Sequence, residues 1–369
     1  MKACVLLVLT LPVCLASQFV CGQDAPKQAG RAFAENILKR QDANDDGVIQ
    51  RDEAKNQLSK NFDRVDKNSD GTLSLAELTT LGKQLGRQTG VRQSANRFAV
   101  PAGVMLETDV VYRAGESEKW KLDIARPEAE SDSPRPAIVF VHGGGWRSGD
   151  KGGGQWRSLP LSYAEKGYVC ISVNYRLVGE AAFPACIEDC KNAVRWLRAN
   201  AKKFNVDSER IGAYGNSAGA HLVAMLGLAG QDAGLEGDGP YQGFSSSVSA
   251  VVCSATPTNL ANWDGESGFN ERTGARLFKE EDSAKAVELA EKFSPITYVK
   301  ATVPFLVVHG TADSTVPIYQ GDSFAKALKE AGADVEYIRV DGAGHGVFGS
   351  AGEQTGPAME KFFERTLRK

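Results

Sequence analysis

From about residue 101 to the carboxyl terminus, short apolar runs alternate with longer stretches whose apolar residues recur at helical spacing. Val110–Tyr112 and Trp120–Ile124 begin this pattern and predict an antiparallel pair of strands. Helical spacing is clearest in residues 187–201 and 323–331, and the runs that predict further strands are residues 137–141, 169–173, 211–214, 249–253, 305–308 and 335–340. Strands that alternate with helices predict an α/β fold, a mostly parallel sheet covered by helices on both faces. Functional residues are then expected beyond the carboxyl ends of the strands.

The first 22 residues have a different pattern, which predicts a signal peptide over residues 1–22. Lys2 precedes an apolar run over residues 3–15, and small residues follow, with cleavage expected after Ala16 or Gly22. The run is too short to span a bilayer, so we expect a secreted or periplasmic protein with no transmembrane segment in the mature chain. Lipidation at Cys21 is the less favoured alternative, because the preceding valine is bulky.

Residues 24–85 contain an internal repeat, which predicts a small all-α domain built on a pair of EF-hands. Residues 42–53 and 66–77 each match the twelve-residue calcium loop, in which oxygen donors occupy places 1, 3, 5, 7 and 12 and glycine occupies place 6. The loops begin 24 residues apart, so a single helix is expected to join them. The predicted ligands are Asp42, Asn44, Asp46, Val48 and Glu53 in the first loop, and Asp66, Asn68, Asp70, Thr72 and Glu77 in the second.

This tandem pair resembles the compact EF-hand or dockerin-like pairs of exported bacterial proteins. Glutamate at the last ligand place, however, differs from a cohesin-binding dockerin. We expect calcium to be structural here, because extracellular calcium is plentiful and such sites need bind only weakly. Residues 86–100 then lose apolar periodicity and predict a polar linker to a second domain over residues 101–369.

Composition adds limits on the partners of the chain. The 369 residues are 42% hydrophobic and 24% charged, with a net charge of −3, as in ordinary soluble globular proteins. No basic excess points to a nucleic-acid partner. The cysteines of the second domain are predicted to be buried small hydrophobic residues, although export permits disulfides; they are Cys170, Cys186, Cys190 and Cys253.

The segment Gly215–Gly219 has the glycine-x-serine-x-glycine pattern of a nucleophile elbow, with Ser217 at its centre. A short apolar run before it predicts a strand, and the alanine- and leucine-rich residues 218–228 predict a helix. A sharp turn between strand and helix lifts the serine hydroxyl out of the sheet. The pattern alone is weak in a chain with 39 glycines, so the remaining residues of the site decide its meaning.

Three other segments supply the groups that a nucleophilic serine needs. His142–Trp146 follows a predicted strand, and the amides of Gly144 and Gly145, with the amide of Ala218, are predicted to form an oxyanion hole. Asp313 follows another predicted strand and is the candidate acid. Of the four histidines, only His345 lies on a loop after that acid, which predicts it as the general base.

Residues 101–369 resemble an α/β-hydrolase of the carboxylesterase group, close to hormone-sensitive-lipase-like enzymes and bacterial feruloyl or acetylxylan esterases. The matching segments are residues 122–127, 142–146, 173–177, 183–184, 215–219, 294–296, 309–313 and 344–346. The resemblance implies an enzyme that cleaves short-chain esters, including acetyl or feruloyl esters on plant or algal polysaccharides, and needs no cofactor for catalysis. An exported peptidase or amidase of the same fold, and a calcium-dependent binding protein with an inactive hydrolase scaffold, are the alternatives.

The segment from Thr258 to Lys292 is predicted to form a small cap over the site. Its aromatic residues, among them Trp263, Phe269 and Phe278, are expected to pack within the cap rather than to contact an acyl chain. A cap of this length is short for a lipase lid and favours an open cleft for small acyl groups. The acyl group, the alcohol and the oligomeric state stay open at this point.

Overall fold

The computed structural model describes residues 31, 34–39, 41–44, 46–55, 57–88, 99–266, 276–301 and 303–368. The predicted signal peptide, most of the predicted linker and Phe269 lie outside these residues. The chain divides into two compact units between Arg97 and Phe98. Within the described ranges, no helix combines the length and the hydropathy that a bilayer crossing requires.

In the N-terminal unit, a short antiparallel ladder joins the two predicted calcium loops. Strand β1 (Val48–Gln50) pairs with strand β2 (Thr72–Ser74), and Ile49 lies opposite Leu73. Both of these side chains are fully buried. They belong to a small apolar core with Ala34, Ala54, Leu58, Phe62, Val65 and Leu78.

The helices of this unit depart from the sequence prediction at one point. Helical residues 34–39 precede β1, and the helices that follow it are α1 (Gln57–Lys60), α2 (Phe62–Val65) and α3 (Leu75–Gln88). The expected single helix between the loops is wrong, because the chain turns at Asn61. The amide of Asn61 bonds to Leu58 O, three residues back, and a new helix begins from its own carbonyl.

The second unit is organised around an eight-stranded sheet within the described residues. Its strands are β3 (Val104–Val111), β4 (Lys121–Pro127), β5 (Arg135–Val141), β6 (Val169–Val173), β7 (Val206–Asn216), β8 (Ala250–Ser254), β9 (Phe305–Gly310) and β10 (Val335–Val340). They lie in the order β10-β9-β8-β7-β5-β6-β4-β3. Strands β5 to β10 are parallel, whereas β3 and β4 pair antiparallel to their neighbours. The predicted α/β fold and its opening antiparallel pair are therefore confirmed.

Helices cover both faces of this sheet. One face packs against α5 (Ala185–Ala199), α7 (Ala218–Leu228) and α9 (Ile318–Glu330), and the opposite face packs against α4 (Gln155–Glu165) and α11 (Gly352–Leu367). The remaining helices of the unit are α6 (Ala201–Phe204), α8 (Ser283–Lys292) and α10 (Val347–Ser350). Two apolar cores result, because strands buried on both sides carry apolar residues at consecutive positions.

The four cysteines of this unit are free and buried in the two cores, as the sequence predicted. Cys186 and Cys190 lie one turn apart on α5, and Cys170 and Cys253 lie in strands β6 and β8. They contribute as small apolar side chains.

Candidate active site

Ser217 occupies the turn between strand β7, which ends at Asn216, and helix α7, which begins at Ala218. Its φ angle of 55° lies in the left-handed region that a serine seldom adopts. Its amide donates to Ser254 O on the neighbouring strand at 2.8 Å. The strand pairing therefore holds the strained turn in place and presents the hydroxyl at the carboxyl edge of the sheet.

The two glycines of the elbow are required by close backbone approach. A Cβ atom on Gly219 would lie 2.0 Å from the carbonyl oxygen of Val141, and a Cβ atom on Gly215 would lie 2.3 Å from the carbonyl carbon of Gly219. No side chain fits at such distances. Gly219 therefore lets the elbow pack on the end of strand β5, and Gly215 lets strand β7 pass close to the start of helix α7.

Ser217, His345 and Asp313 form one hydrogen-bonded chain. His345 Nε2 is 2.9 Å from Ser217 Oγ, and His345 Nδ1 is 2.8 Å from Asp313 Oδ2. A carboxylate only accepts, so Nδ1 carries the proton and Nε2 is free to accept from the serine hydroxyl. Asp313 has a fully buried carboxylate, whereas the His345 ring is partly exposed to solvent. The structure thus brings together the three residues that the sequence predicted.

Asp313 has further partners that hold its carboxylate ionised. Burial alone would raise its pKa, but hydrogen bonds from His309, His345 and the amides of Val316 and Thr315 outweigh burial and lower the pKa below its ordinary value. The amides of Thr315 and Val316 donate to Asp313 Oδ1 at 2.8 and 2.9 Å. A carboxylate held in this state is suited to orient the His345 ring.

His309 is a neighbour of the acid that sequence reasoning passed over. Its Nε2 donates to Val316 O at 2.9 Å and lies 3.5 Å from Asp313 Oδ2. The ring is fully buried, and its Nδ1 has no hydrogen-bond partner among the described residues. The only signal in the sequence was its spacing, four residues before the acid.

The oxyanion loop, defined here as Gly143–Trp146, begins two residues beyond the end of strand β5. Gly144 and Gly145 were predicted from the sequence, and their φ angles of 116° and 60° lie in the left-handed region. Gly143 was not predicted, yet it lies against the nucleophile. A Cβ atom on Gly143 would stand 3.3 Å from Ser217 Cβ and 2.7 Å from Asn216 O. Gly143 therefore joins Gly144, Gly145 and Ala218 as a candidate amide donor.

The two remaining histidines lie on either side of this loop, and both are fully buried. His142 stacks on Tyr175 with ring centroids 4.4 Å apart, and Tyr175 Oη donates to His142 O at 2.9 Å. His221 lies on α7 and hydrogen-bonds to Trp146 and to the carbonyl of Phe293. Neither of the two belongs to the chain of bonds that reaches Ser217.

The cap segment is described for residues 258–266 and 276–292. Phe278 is buried against Phe183 and Phe293, with ring centroids 5.8 and 5.5 Å apart, and Trp263 packs on the same core. Asp282 caps α8 by accepting from the amides of Ala284 and Lys285. These two aromatic residues pack on the core of the domain, whereas the sequence predicted packing within the cap itself.

The predicted calcium ligands curl into two loops of the same local design. Asp42 Oδ2 accepts from the amide of Gly47 at 2.8 Å, and Asp66 Oδ2 accepts from Gly71 at 3.0 Å. Val48 and Thr72, whose carbonyls were predicted as ligands, begin strands β1 and β2. In both loops the second and third predicted side chains bond to each other, as Asn44 with Asp46 and as Asn68 with Asp70.

The last glutamate of each loop bonds to backbone amides. Glu53 accepts from Ala43 and Gln50 at 2.8 and 2.9 Å, and Glu77 makes the corresponding bonds to Lys67 and Ser74. Carboxylate and carboxamide oxygens fit calcium by donor type. Across the described residues, however, no group of three or more His, Cys, Asp and Glu side chains could hold a metal ion. Calcium binding stays a prediction.

Comparison with known proteins shows the family to which the second unit belongs. The family model described as BD-FAE matches residues 122–328, more than half of the chain. Among curated relatives, the esterase LipC of Mycobacterium tuberculosis is 33% identical over 250 residues, covering 66% of this chain and 60% of that protein. The esterase LipQ of the same organism is 32% identical, with 56% of its length covered. The chain thus spans less than two thirds of the length of these relatives.

Solved structures match over more of their own length. A structure described as a truncated form of carbohydrate esterase from gut microbiota is 30% identical and has a TM-score of 0.65. The match covers 97% of that chain and 72% of this one. Esterase 2 of the Planctomycetes species Thermogutta terrifontis, with butyrate bound, is 28% identical and has a TM-score of 0.60. This match covers 94% of that chain and 72% of this one. The chain belongs to the BD-FAE family and has the α/β-hydrolase fold.

Proposed function

We propose that this protein is an exported serine esterase that cleaves short-chain carboxylic esters through an acyl-enzyme on Ser217. The observation that carries the proposal is the bonded chain from Ser217 Oγ through His345 to Asp313, with distances of 2.9 and 2.8 Å. It joins a nucleophile, a base and a buried acid in the tautomer that acyl transfer needs. These groups and one water suffice for the reaction, so catalysis needs no cofactor.

Acylation begins at the serine hydroxyl. His345 Nε2 takes the proton of Ser217 Oγ while the oxygen attacks the ester carbonyl, and Asp313 stabilises the imidazolium that forms. The negative charge that develops on the carbonyl oxygen is received by the amide of Ala218 and by amides of the oxyanion loop. Collapse of the tetrahedral intermediate expels the alcohol, which takes the proton from His345 Nε2.

Deacylation repeats these steps with water as the nucleophile. His345 Nε2 accepts a proton from the water as its oxygen attacks the acyl carbon, and the same amides receive the developing charge. When this second intermediate collapses, the proton returns to Ser217 Oγ. The carboxylic acid is released and the starting state is restored.

Small acyl groups, including acetyl or feruloyl groups on polysaccharides, are the proposed substrates. In the described part of the cap segment, Phe278 is buried and Trp263 is partly buried, which favours small acyl groups over a long acyl chain. Similarity to a carbohydrate esterase from gut microbiota and to an esterase solved with butyrate supports this choice. A polysaccharide substrate would also suit export through the predicted signal peptide.

An amidase or peptidase would use the same triad and is the second candidate reaction. The relatives reported above are esterases by name, which favours esters. A binding protein with an inactive scaffold is disfavoured, because such a scaffold has no need to keep a strained serine bonded to a correctly oriented histidine.

For the N-terminal unit we propose structural calcium binding. The two loops have matching internal bonds and all-oxygen donor sets, and calcium, once bound, would draw together Asp42, Asp46 and Glu53 in one loop and Asp66, Asp70 and Glu77 in the other. Calcium would neutralise the charge that these carboxylates share.

The esterase proposal is tested by assaying nitrophenyl esters with acyl chains of two to twelve carbons beside acetylated xylan, methyl ferulate and a matched nitroanilide. We expect turnover to be fastest on the shortest esters and slow on the anilide. Ser217→Ala should abolish turnover, whereas Ser131→Ala, on the loop before β5, should retain it. A phosphonate probe should label Ser217 alone.

Retained turnover in Ser217→Ala, or labelling at another residue, would disprove the assignment of the nucleophile. Faster cleavage of the anilide than of its ester would favour the amidase. No cleavage of any substrate by a folded protein that also resists the phosphonate would favour the inactive scaffold.

A further inference from the structure

The oxyanion loop ends in a strained residue. Trp146 has a φ angle of 58°, a left-handed conformation that is unfavourable for a bulky side chain. Such a conformation persists only when surrounding contacts determine it. Trp146 is also 96% buried, which places its indole inside the domain rather than in the cleft. Whatever holds this indole therefore also fixes the backbone that carries Gly143, Gly144 and Gly145.

The polar partner of the indole is His221, one helical turn beyond the nucleophile. Trp146 Nε1 donates to His221 Nδ1 at 3.3 Å, and His221 Nε2 donates to Phe293 O at 2.7 Å. The indole can only donate and the carbonyl can only accept, so His221 must be neutral with its proton on Nε2. This single ring thus bonds to two segments distant in sequence, the oxyanion loop and Phe293, the residue just after α8.

Aromatic packing surrounds this bond and keeps water away from it. The rings of Trp146 and His221 meet edge to face with centroids 5.3 Å apart, and Phe183 contacts both at 5.6 and 5.8 Å. The carbonyl of Trp146 also accepts from Val178 at 2.9 Å. Complete burial lowers the pKa of His221 to about 4, so the ring stays neutral near pH 7.

We propose that His221, through its hydrogen bond to Trp146, is a positioning residue that holds the oxyanion loop in register with Ser217. The inference rests on the proposed esterase function. His221 and Ser217 lie on the same helix and its turn, so the bond ties the amide donors of the loop to the element that carries the nucleophile. The bond does not touch substrate, and it acts by fixing where those amides point.

The expected consequence is a loss of transition-state stabilisation with little loss of substrate binding. The ester carbonyl is uncharged in the ground state and gains negative charge as Ser217 attacks. Misplaced amide donors therefore raise the free energy of the transition state more than that of the bound substrate. A misplacement of about 1 Å in such groups costs on the order of 10²-fold in rate. We expect kcat to fall about tenfold with KM unchanged.

Two substitutions remove the bond from either side. Trp146→Phe keeps an aromatic ring and deletes the donor, and His221→Gln keeps a donor toward Phe293 O but withdraws the acceptor at Nδ1. His221→Asn is the conservative variant, because its amide oxygen stands near the position of Nδ1 and can accept from the indole. Trp156→Phe, on the opposite face against Tyr214, is the matched tryptophan control.

The measurements are kcat and KM on nitrophenyl acetate, inhibition by a trifluoromethyl ketone that forms a tetrahedral adduct, and the unfolding midpoint. Trp146→Phe and His221→Gln should each lose about tenfold in kcat and the same factor in affinity for the ketone. The double variant should lose no more than either single variant, because both remove one interaction. His221→Asn and Trp156→Phe should stay within about threefold of the unmodified protein.

A purely structural role would lower the unfolding midpoint and leave kcat and ketone affinity of the folded variants unchanged, and that result would overturn the proposal. So would additive losses in the double variant, or an equal loss in Trp156→Phe. If instead Ser217→Ala keeps its activity, the esterase proposal itself fails. A dead Ser217→Ala with fully active Trp146→Phe and His221→Gln removes only the role of His221.

Discussion

In the N-terminal unit, carboxylates bond to partners that are close in sequence. In the second unit, called the catalytic unit from here on because it contains Ser217, Asp313 and His345, the partners are far apart in sequence. Glu53 bonds to the amide of Ala43, ten residues away, and Asp42 bonds to Gly47 within the same loop. Asp313 bonds to His345 across 32 residues, and His345 reaches Ser217 across 128. The first arrangement is contained in a twelve-residue segment, whereas the second exists only when several strands have paired.

This difference has a practical meaning for the two units. Each predicted calcium loop is stabilised by bonds within its own twelve residues. Substitutions in such a loop should therefore affect the N-terminal unit alone. A site assembled from the ends of β5, β7, β9 and β10 depends on buried groups between those strands. Substitutions there should change catalysis even when the residue does not touch substrate.

The largest effect is expected from substitution of Asp313, whose partner His345 lies 32 residues away in sequence. Asp313→Asn should lower kcat by about 10⁴-fold, because an amide at this position no longer fixes the proton of His345 on Nδ1. The control is Asp341→Asn, which removes a carboxylate that accepts from Thr311 Oγ1 at the loop after β10. Steady-state kinetics on nitrophenyl acetate measure both. A loss smaller than tenfold in Asp313→Asn would mean that the acid lies elsewhere.

Acid should destabilise the catalytic unit through His221. Its folded pKa of about 4 lies below the ordinary value near 6.5, so the unfolded chain takes up this proton first. Stability is therefore unaffected by this group above pH 6.5 and falls as pH drops toward 4, by at most about 3 kcal/mol. His142, whose pKa burial also lowers, adds to the same slope.

The measurement is urea unfolding between pH 7.5 and 4, followed by tryptophan fluorescence. All five tryptophans and all four histidines of the chain lie beyond residue 98, so the signal reports the catalytic unit alone. His221→Asn should flatten the slope between pH 6.5 and 4. An unchanged slope would show that this histidine is not the group being protonated.

A smaller effect is expected for His309, the second histidine beside the acid. His309→Phe removes an imidazole whose Nε2 donates to Val316 O and lies 3.5 Å from Asp313 Oδ2, and we expect kcat/KM to fall about tenfold because the carboxylate of Asp313 loses a polar neighbour. His309→Gln keeps a donor of similar reach and should stay within about threefold. Equal losses in the two variants would indicate a packing effect instead of a hydrogen bond.

The smallest effect on catalysis is expected from the calcium loops. Glu53→Gln combined with Glu77→Gln should abolish calcium binding in titration calorimetry, yet kcat on a soluble ester should stay within about twofold, with or without chelator. Glu35→Gln is the control, because its carboxylate bonds to Arg31 outside the loops. Loss of ester activity in chelator that returns with added calcium would contradict the separation of the two units.

Local pattern was enough to predict much of this molecule. Apolar runs gave strands at Val169–Val173 and Val335–Val340 and a helix at Ala218–Leu228 with the bounds that the structure has. Elimination among four histidines selected His345, which lies 2.9 Å from Ser217 Oγ. These predictions succeed because strand, helix and elbow depend on neighbouring residues, and because the order of triad residues along the chain is readable.

Other features were decided by tertiary structure alone. The contact of Gly143 with Ser217, the approach of His309 to Asp313 and the bond from Trp146 to His221 each escaped the sequence. Trp146 and His221 are 75 residues apart, and neither carries a pattern that selects the other. Which buried polar groups meet depends on the order in which strands pair and on how helices pack over them, and a hydrogen bond between distant side chains leaves no periodic trace in the residues around it.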